Sequence, residues 1–290
     1  MATVWKLAGL SWRDIISATW RETISDDVVN RAAALSFWFL MGFFPLLFSV
    51  AGMVSMIGGQ GTHGILLEYL GKVLPSSASA LIEEVLSQTT GRGVGLSLLF
   101  ALWSASSATS GLMDALNSTY DLKESRPWWK ARLVSVVLAV ATGALLTVAV
   151  LLVAYIPVVL HIVAPGSALI VIWRIAEWPA AACLLFLALL CMYRFAPDVQ
   201  RQKWKWLVPG SILALVIWLI VSFGFKIYIR NFSNYSMLYG SVGTLIILMF
   251  WFYLSGAAIL IGGELNAILE DAAAKRQIPG AKQRGQRSLA

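Results

Sequence analysis

The chain has 290 residues, of which 59% are hydrophobic and 13% charged, with a formal net charge of +7. A mean hydropathy of +0.76 excludes a soluble domain of this size, whose surface would need far more charge. The positive balance localises no basic patch and so points away from nucleic acid; attraction to anionic lipid headgroups accounts for it.

Residues 1–30 form the first unit. Trp5, Ala8, Trp12, Ile15, Ile16, Trp20 and Ile24 recur near helical spacing, with Lys6, Arg13, Arg21 and Glu22 between them. This pattern predicts an amphipathic helix lying in the cytoplasmic interface, as an anchor or as a docking arm. Six apolar runs follow, near Ala33–Ile57, Val94–Met113, Leu133–Leu160, Ile175–Phe195, Leu207–Ile227 and Gly240–Ile268. Each reaches the roughly 20 residues a helix needs to cross a hydrocarbon core of about 30 Å. The predicted fold is all-α and polytopic, with six transmembrane helices in a membrane domain over 31–270.

Orientation follows from the lysines and arginines. The arm, the second and fourth connections and the tail hold 17 of the 22, and the other three connections hold 5. By the positive-inside rule both termini are cytoplasmic. The first connection, Gly58 to Gly93, carries two apolar stripes, Leu66 to Leu74 and Leu81 to Leu86, parted by Pro75. They predict two short periplasmic helices between spans 1 and 2, either a lid or a shield. Residues 271–290, rich in Ala, Lys, Gln, Arg and Gly, read as a basic, disordered cytoplasmic tail against lipid headgroups. The first run is too long for a signal-peptide core, so no cleaved leader is expected.

Spans one to three and four to six would be inverted copies in topology, with Pro45 and Pro179 inside or near the first span of each half, though no primary repeat is visible. Cys183 and Cys191 lie about 12 Å apart along one helix and cannot pair within it. Pairs such as Ala139 with Gly143 and Ala258 with Gly262 suit contacts within a chain or between copies, so a homo-oligomer stays open.

Polar groups inside spans should face the bundle interior or a wet cavity. In the second span Trp103, Ser106, Ser107, Ser110, Asp114 and Asn117 share a helical face, either as cavity lining or as packing contacts. The sixth span ends in Glu264 and Asn266, at the same depth as Asn117 and the start of the first span. A buried carboxylate needs a partner, and Arg31 is the nearest basic candidate by depth. The expectation is a polar cluster of Arg31, Ser36, Asn117, Glu264 and Asn266 that gates a cavity or fixes helix ends. Pro45 predicts a kink in the first span. At the outer face Lys226, Tyr228, Arg230, Tyr235 and Tyr239 suit an anionic headgroup or an interfacial belt.

No phosphate loop is present, the two histidines His63 and His161 stand outside any metal or nucleophile pattern, and Asp26 and Asp27 are sequence neighbours at a helix start. The sequence predicts no catalytic, metal or cofactor site.

Ala32 to Phe37 leading into Phe44, Pro45 and Leu46; Trp103 to Ser106 with Ala115, Leu116, Asn117 and Tyr120; Arg194 to Pro197; and Tyr239 to Ser241 with Gly263 to Ala267 resemble the YihY/BrkB family of bacterial inner-membrane proteins. The resemblance runs from about Asp27 to Ala267. It implies a six-helix inner-membrane protein without an agreed substrate site, whose members have carried a misassigned ribonuclease BN label and have been linked to serum resistance and to lipid or solute export. It also places Arg31, Asn117, Tyr120, Arg194, Tyr239, Glu264 and Asn266 at motif positions. The leading functional expectation is a transporter or exporter of a lipid or small amphipathic solute without its own ATPase. The alternative is a non-catalytic structural or assembly factor of the envelope.

Overall fold

The computed structural model describes residues 10–46, 91–163, 168–199, 202–231 and 235–286. Among them lie seven helices and no strand. They are α1 (Trp12–Ser25), α2 (Val28–Leu46), α3 (Gly91–Thr119), α4 (Trp128–Val163), α5 (Ala168–Phe195), α6 (Trp204–Asn231) and α7 (Tyr235–Lys275). The last six are long and apolar enough to cross a membrane, so the six spans expected from the sequence are present. The stretch in which two periplasmic helices were expected lies outside the described residues, as does the chain beyond Leu46, where a kink at Pro45 would show.

The helices outrun their apolar runs because local signals extend them. Ser11 caps α1: its hydroxyl accepts from the Arg13 N–H and its own N–H donates to Asp14 Oδ2, satisfying donors the helix start leaves open. Asp27, at a φ of 54°, breaks α1 from α2, and the Asn30 amide holds its carboxylate at 2.8 Å. Pro127 opens α4, its carbonyl accepting from the N–H groups of Lys130 and Ala131. At the end of α7 Gln277 turns left-handed, at a φ of 56°. The Ile278 N–H then bonds back to the Ala273 carbonyl at 3.0 Å and the Gln277 N–H to that of Ala274 at 2.8 Å. This C-terminal cap turns the chain back on itself.

In the bundle α7 packs against α6, α1 and α3, while α5 lies between α4 and α6. The apolar core joins Val28 and Leu35 of α2, Leu112 and Leu116 of α3, Leu189 and Tyr193 of α5, Leu207 of α6 and Leu260 of α7. These positions gather at one end of the bundle, where α2, α4 and α6 begin and α3, α5 and α7 finish. It is the end that carries most of the lysines and arginines. Toward the other end Leu96, Val150, Ile172, Ile175 and Phe223 are exposed, as lipid-facing side chains are.

Two glycines set the approach of α6 to α7. A Cβ on Gly210 would meet the Gly262 carbonyl oxygen at 2.0 Å, and one on Gly262 would meet the Gly210 oxygen at 2.5 Å and the Tyr193 hydroxyl at 2.4 Å. Pro209 has no N–H to give its own helix, and the Gly210 N–H crosses to Asn266 Oδ1 at 2.7 Å. Ala258 and Gly262 therefore serve contacts within the chain, with Ala258 fully buried. We expect Gly262→Ala to lower stability by about 1–3 kcal/mol through overpacking, read as a fall in Tm in detergent. Gly143→Ala, whose added Cβ would meet nothing within 4 Å, is expected to leave Tm unchanged or slightly higher.

Candidate functional site

Glu264 is fully buried near the basic end of α7. A carboxylate taken out of water needs charge-assisted hydrogen bonds to stay ionised. Thr119, on the last turn of α3, donates to Glu264 Oε1 at 2.8 Å. Arg284 Nη2 reaches Oε2 at 3.2 Å, and its Nη1 bonds Glu22 Oε2 of α1 at 2.8 Å. The acid is therefore paired, but by an arginine beyond the last helix.

Arg31 takes a different place from the one expected. It donates to the Asp26 carbonyl at 2.8 Å and to Ser118 Oγ at 3.2 Å, tying the α1–α2 turn to the end of α3. The physical reason is reach: Asp26 and Arg31 stand five residues apart across that turn, so the Asp26 carbonyl and the Ser118 hydroxyl are the acceptors at hand. The tail also departs from expectation. Residues expected to be disordered turn back at Gln277, bury Ala281 and Lys282, and carry Arg284 to the acid. Ala281 and Ile278 cover Trp206 and Ala273, and this apolar contact together with the ion pairs orders the segment.

A third acid completes the group. The Asp26 carboxyl lies beside Glu264, with its Oδ2 buried and unpartnered. Burial raises the Asp26 carboxyl above its ordinary value, and the nearby Asp121 and Glu22 carboxylates add to the rise, while its hydrogen bond with Glu264 and the Arg284 charge oppose it.

Behind this group Asn117 organises the second connection. Its Nδ2 donates to Glu124 Oε2 at 3.0 Å and its Oδ1 accepts from the Asp198 N–H at 2.6 Å. Arg126 grips Glu124 through Nε and Nη2, both at 2.7 Å, and the Ala196 carbonyl at 2.8 Å. Ser125 donates from both its N–H and its hydroxyl to Asp198. Burial alone would raise the Glu124 carboxyl, but the Arg126 bonds outweigh it and hold it below its ordinary range. Tyr120 is buried with its hydroxyl accepting from Gln202 Nε2 at 2.6 Å, and the same amide bonds Glu270 Oε2 at 2.8 Å. Burial pushes the Tyr120 hydroxyl well above 10.

The remaining expected residues divide. Asn266 is buried and bonded to Gly210, with its Nδ2 unpartnered. Ser36 is buried but donates to Ala33 of its own helix at 2.7 Å. Ser106 and Ser107 both donate to the Trp103 carbonyl at 2.8 Å, also within their own helix. Trp103 is half exposed and stacks edge-on against Trp38, Ser110 is partly exposed and Asp114 exposed. The second-span face thus does not converge on one point. Arg194 lies over the Phe195 ring, 5.5 Å from its centroid, and the neighbouring Tyr193 points inward instead, its hydroxyl on the Ile259 carbonyl at 2.6 Å. Tyr239 and His161 are in helices whose side chains there lie outside the described residues.

Sequence reasoning missed Thr119, Glu22, Gln202, Glu270, Glu124, Arg126 and Arg284. The available signal was Glu270, a second acid six residues after Glu264 in the same long helix, with Lys282 and Arg284 just beyond it. Among the described residues no three of His, Cys, Asp or Glu are grouped to hold a metal, and both cysteines are free thiols.

The Virulence factor BrkB family model matches residues 19–286. The chain belongs to that family. It is 32% identical over 250 residues to YfkH, a ribonuclease-like protein by name, of Bacillus subtilis strain 168, covering 83% of this chain and 89% of that one. It is 24% identical over 259 residues to a UPF0761 membrane protein of Xanthomonas oryzae pv. oryzae strain PXO99A, covering 85% of this chain and 58% of the relative's length. It is also 39% identical over 82 residues to the UPF0761 membrane protein Smlt0865 of Stenotrophomonas maltophilia strain K279a, 28% of this chain and 19% of that one. No solved structure matches. This BrkB-family chain is thus an integral membrane protein with six candidate spans, whose family has no established catalytic activity.

The raised Asp26 carboxyl gives the chain a pH signature. A carboxyl whose pKa is raised in the fold favours its protonated form, so its contribution to stability falls as pH rises from the ordinary aspartate value through the raised one, and is flat above it. Asp26→Asn mimics the protonated carboxyl. We expect it to raise Tm by a few degrees at pH 8, to change little at pH 4, and to flatten the Tm-against-pH curve between them.

Proposed function

We propose that this protein is a transporter or exporter, without its own ATPase, of a lipid or small amphipathic solute, gated at the basic end of the bundle. The observation carrying this reading is Glu264, a fully buried acid held by groups from α3 and from the chain beyond α7, with a second carboxyl against it. Intramembrane acids are costly to bury and mark solute or proton paths. The reading places the protein in the bacterial inner membrane with both termini cytoplasmic. The charge asymmetry supports this, as do the exposed Trp12, Trp20, Trp128, Trp129 and Trp204, which ring the basic end as interfacial anchors do.

On this reading α1 lies in the interface. Trp12, Ile16, Trp20 and Ile24 are exposed on one stripe while Ile15 and Thr23 are buried, so the outward stripe suits acyl chains and Lys and Arg nearby suit anionic headgroups. No nucleic-acid or ribonuclease role is proposed.

A specific observation favours a second reading, a structural or assembly factor of the envelope. The hydroxyls of Ser36, Ser106 and Ser107 donate within their own helices, that of Ser107 also accepting from Arg132 Nη2 of α4 at 3.5 Å, and Gly210 and Gly262 touch backbone to backbone, which is how packing contacts look.

Proteoliposomes with headgroup-labelled phospholipid separate the two. We expect lipid translocation by the native chain well above empty vesicles, with Glu264→Gln reducing it to the empty-vesicle rate. Translocation equal to empty vesicles would overturn unaided lipid movement and favour the structural reading.

A further inference from the structure

Residues 276–286 run back along the end of α7 in successive turns, the Ala281 N–H bonding to the Ile278 carbonyl at 3.2 Å and the Gln286 N–H to the Gln283 carbonyl at 3.1 Å. Lys282 is buried and Arg284 largely so, while Gln283 and Gly285 are exposed. The two basic residues meet two acids six residues apart on α7. Arg284 reaches Glu264 at 3.2 Å, and Lys282 faces Glu270, to which its backbone N–H also bonds. Arg284 Nη1 also pairs with Glu22 Oε2 at 2.8 Å, and beyond these ion pairs the segment is fastened by few contacts. The Gly285 N–H donates to the Tyr120 carbonyl at 2.9 Å, the Arg284 N–H to Asp271 Oδ1 at 3.2 Å, and Lys203 Nζ to the Pro279 carbonyl at 3.4 Å.

We propose that residues 276–286 are a releasable strap that closes the basic end of the bundle, with Arg284 as the plug over Glu264. This extends the gate described under Proposed function and rests on that reading for its role, though not for its existence. Two observations mark the strap as releasable. Its apolar contribution is confined to Ile278, Pro279 and Ala281, so little hydrophobic area opposes its lifting, which is the mark of a segment that opens before the whole fold does. The closed form also leaves three buried polar atoms near it, Trp206 Nε1, Gln202 Oε1 and Glu270 Oε1, without a protein partner, and lifting the strap would relieve that cost. The fold beneath does not depend on the strap for its core, because the main apolar cluster draws on α2 to α7 alone.

The test reads accessibility rather than flux. In a Cys183→Ser, Cys191→Ser background, Thr119→Cys places a thiol on the buried residue that bonds the other oxygen of Glu264. A membrane-impermeant maleimide is applied to the full chain in proteoliposomes. Modification should be slow with the native strap and at least about tenfold faster with Arg284→Ala, the factor a lost charge-assisted hydrogen bond gives a local opening equilibrium. Arg284→Lys should stay close to native. Gly285→Pro is a second release variant that leaves every charge in place: it removes the N–H held by Tyr120, and proline cannot adopt the φ of +80° found there. It should accelerate modification likewise, while Tm stays within a few degrees of the native value.

Equal modification rates in native, Arg284→Ala and Gly285→Pro chains would overturn the strap, and so would acceleration only in variants whose Tm collapses. Lipid flux measured on the same strap variants with native Thr119 separates this from the transport reading. Faster labelling with no flux in any variant upholds the strap and sinks transport. Flux with unchanged labelling sinks the strap alone.

Discussion

The carboxylate of Glu264 is the constraint on which the basic end of this molecule depends. A long apolar helix that carries an acid into its buried length must supply that acid with partners or keep it protonated. Here partners are supplied. Thr119 and Arg284 take one oxygen each, and the Asp26 carboxyl lies beside them. Four parts of the chain that are remote in sequence are thereby drawn to one point: the end of α1, the end of α3, the buried stretch of α7 and the segment after it. Truncating any one partner leaves the others holding an uncompensated charge, which is costlier than never having buried it.

The polar chemistry is unevenly distributed. Around the Glu264 group stand the Asn117–Glu124–Arg126–Asp198 network and the Tyr120–Gln202–Glu270 chain, all at the same end of the bundle. The described side chains toward the other end are largely apolar and exposed to the surroundings. The bundle thus seals one end with hydrogen-bonded loops and leaves its apolar flanks to lipid. That asymmetry suits a gate, and it suits equally an anchor that presents a fixed face. The difference between the two lies in whether the seal moves.

Much of the site was legible in pieces. Glu264, Asn117 and Asn266 stood out because polar groups in apolar runs ask for partners, and all three are buried and bonded. The partners themselves were not legible. Depth along the membrane normal suggested Arg31 for Glu264, but depth fixes one coordinate of three, and Arg31 is engaged by the turn beside it. The serines of the second span share a helical face by spacing, yet a serine in a helix can bond its own preceding turn, as Ser106 and Ser107 do. Composition marked the tail as disordered, because a local reading cannot see that Trp206, Glu264 and Glu270 offer it a surface.

The sequence by itself determined the membrane class, six spans and the amphipathic character of the first helix, since hydropathy, length and periodicity are local properties that no later contact can reverse. It also marked which buried polar residues would need an answer. Only the tertiary structure decided what the answer was. Arg284 comes to Glu264 across 20 residues because Gln277 turns left-handed and reverses the chain, and α6 meets α7 at Gly210 and Gly262 because only there can two backbones approach without a side chain between them. Pairing of that kind depends on where helices end and how closely they cross, and neither is written in the composition of any one segment.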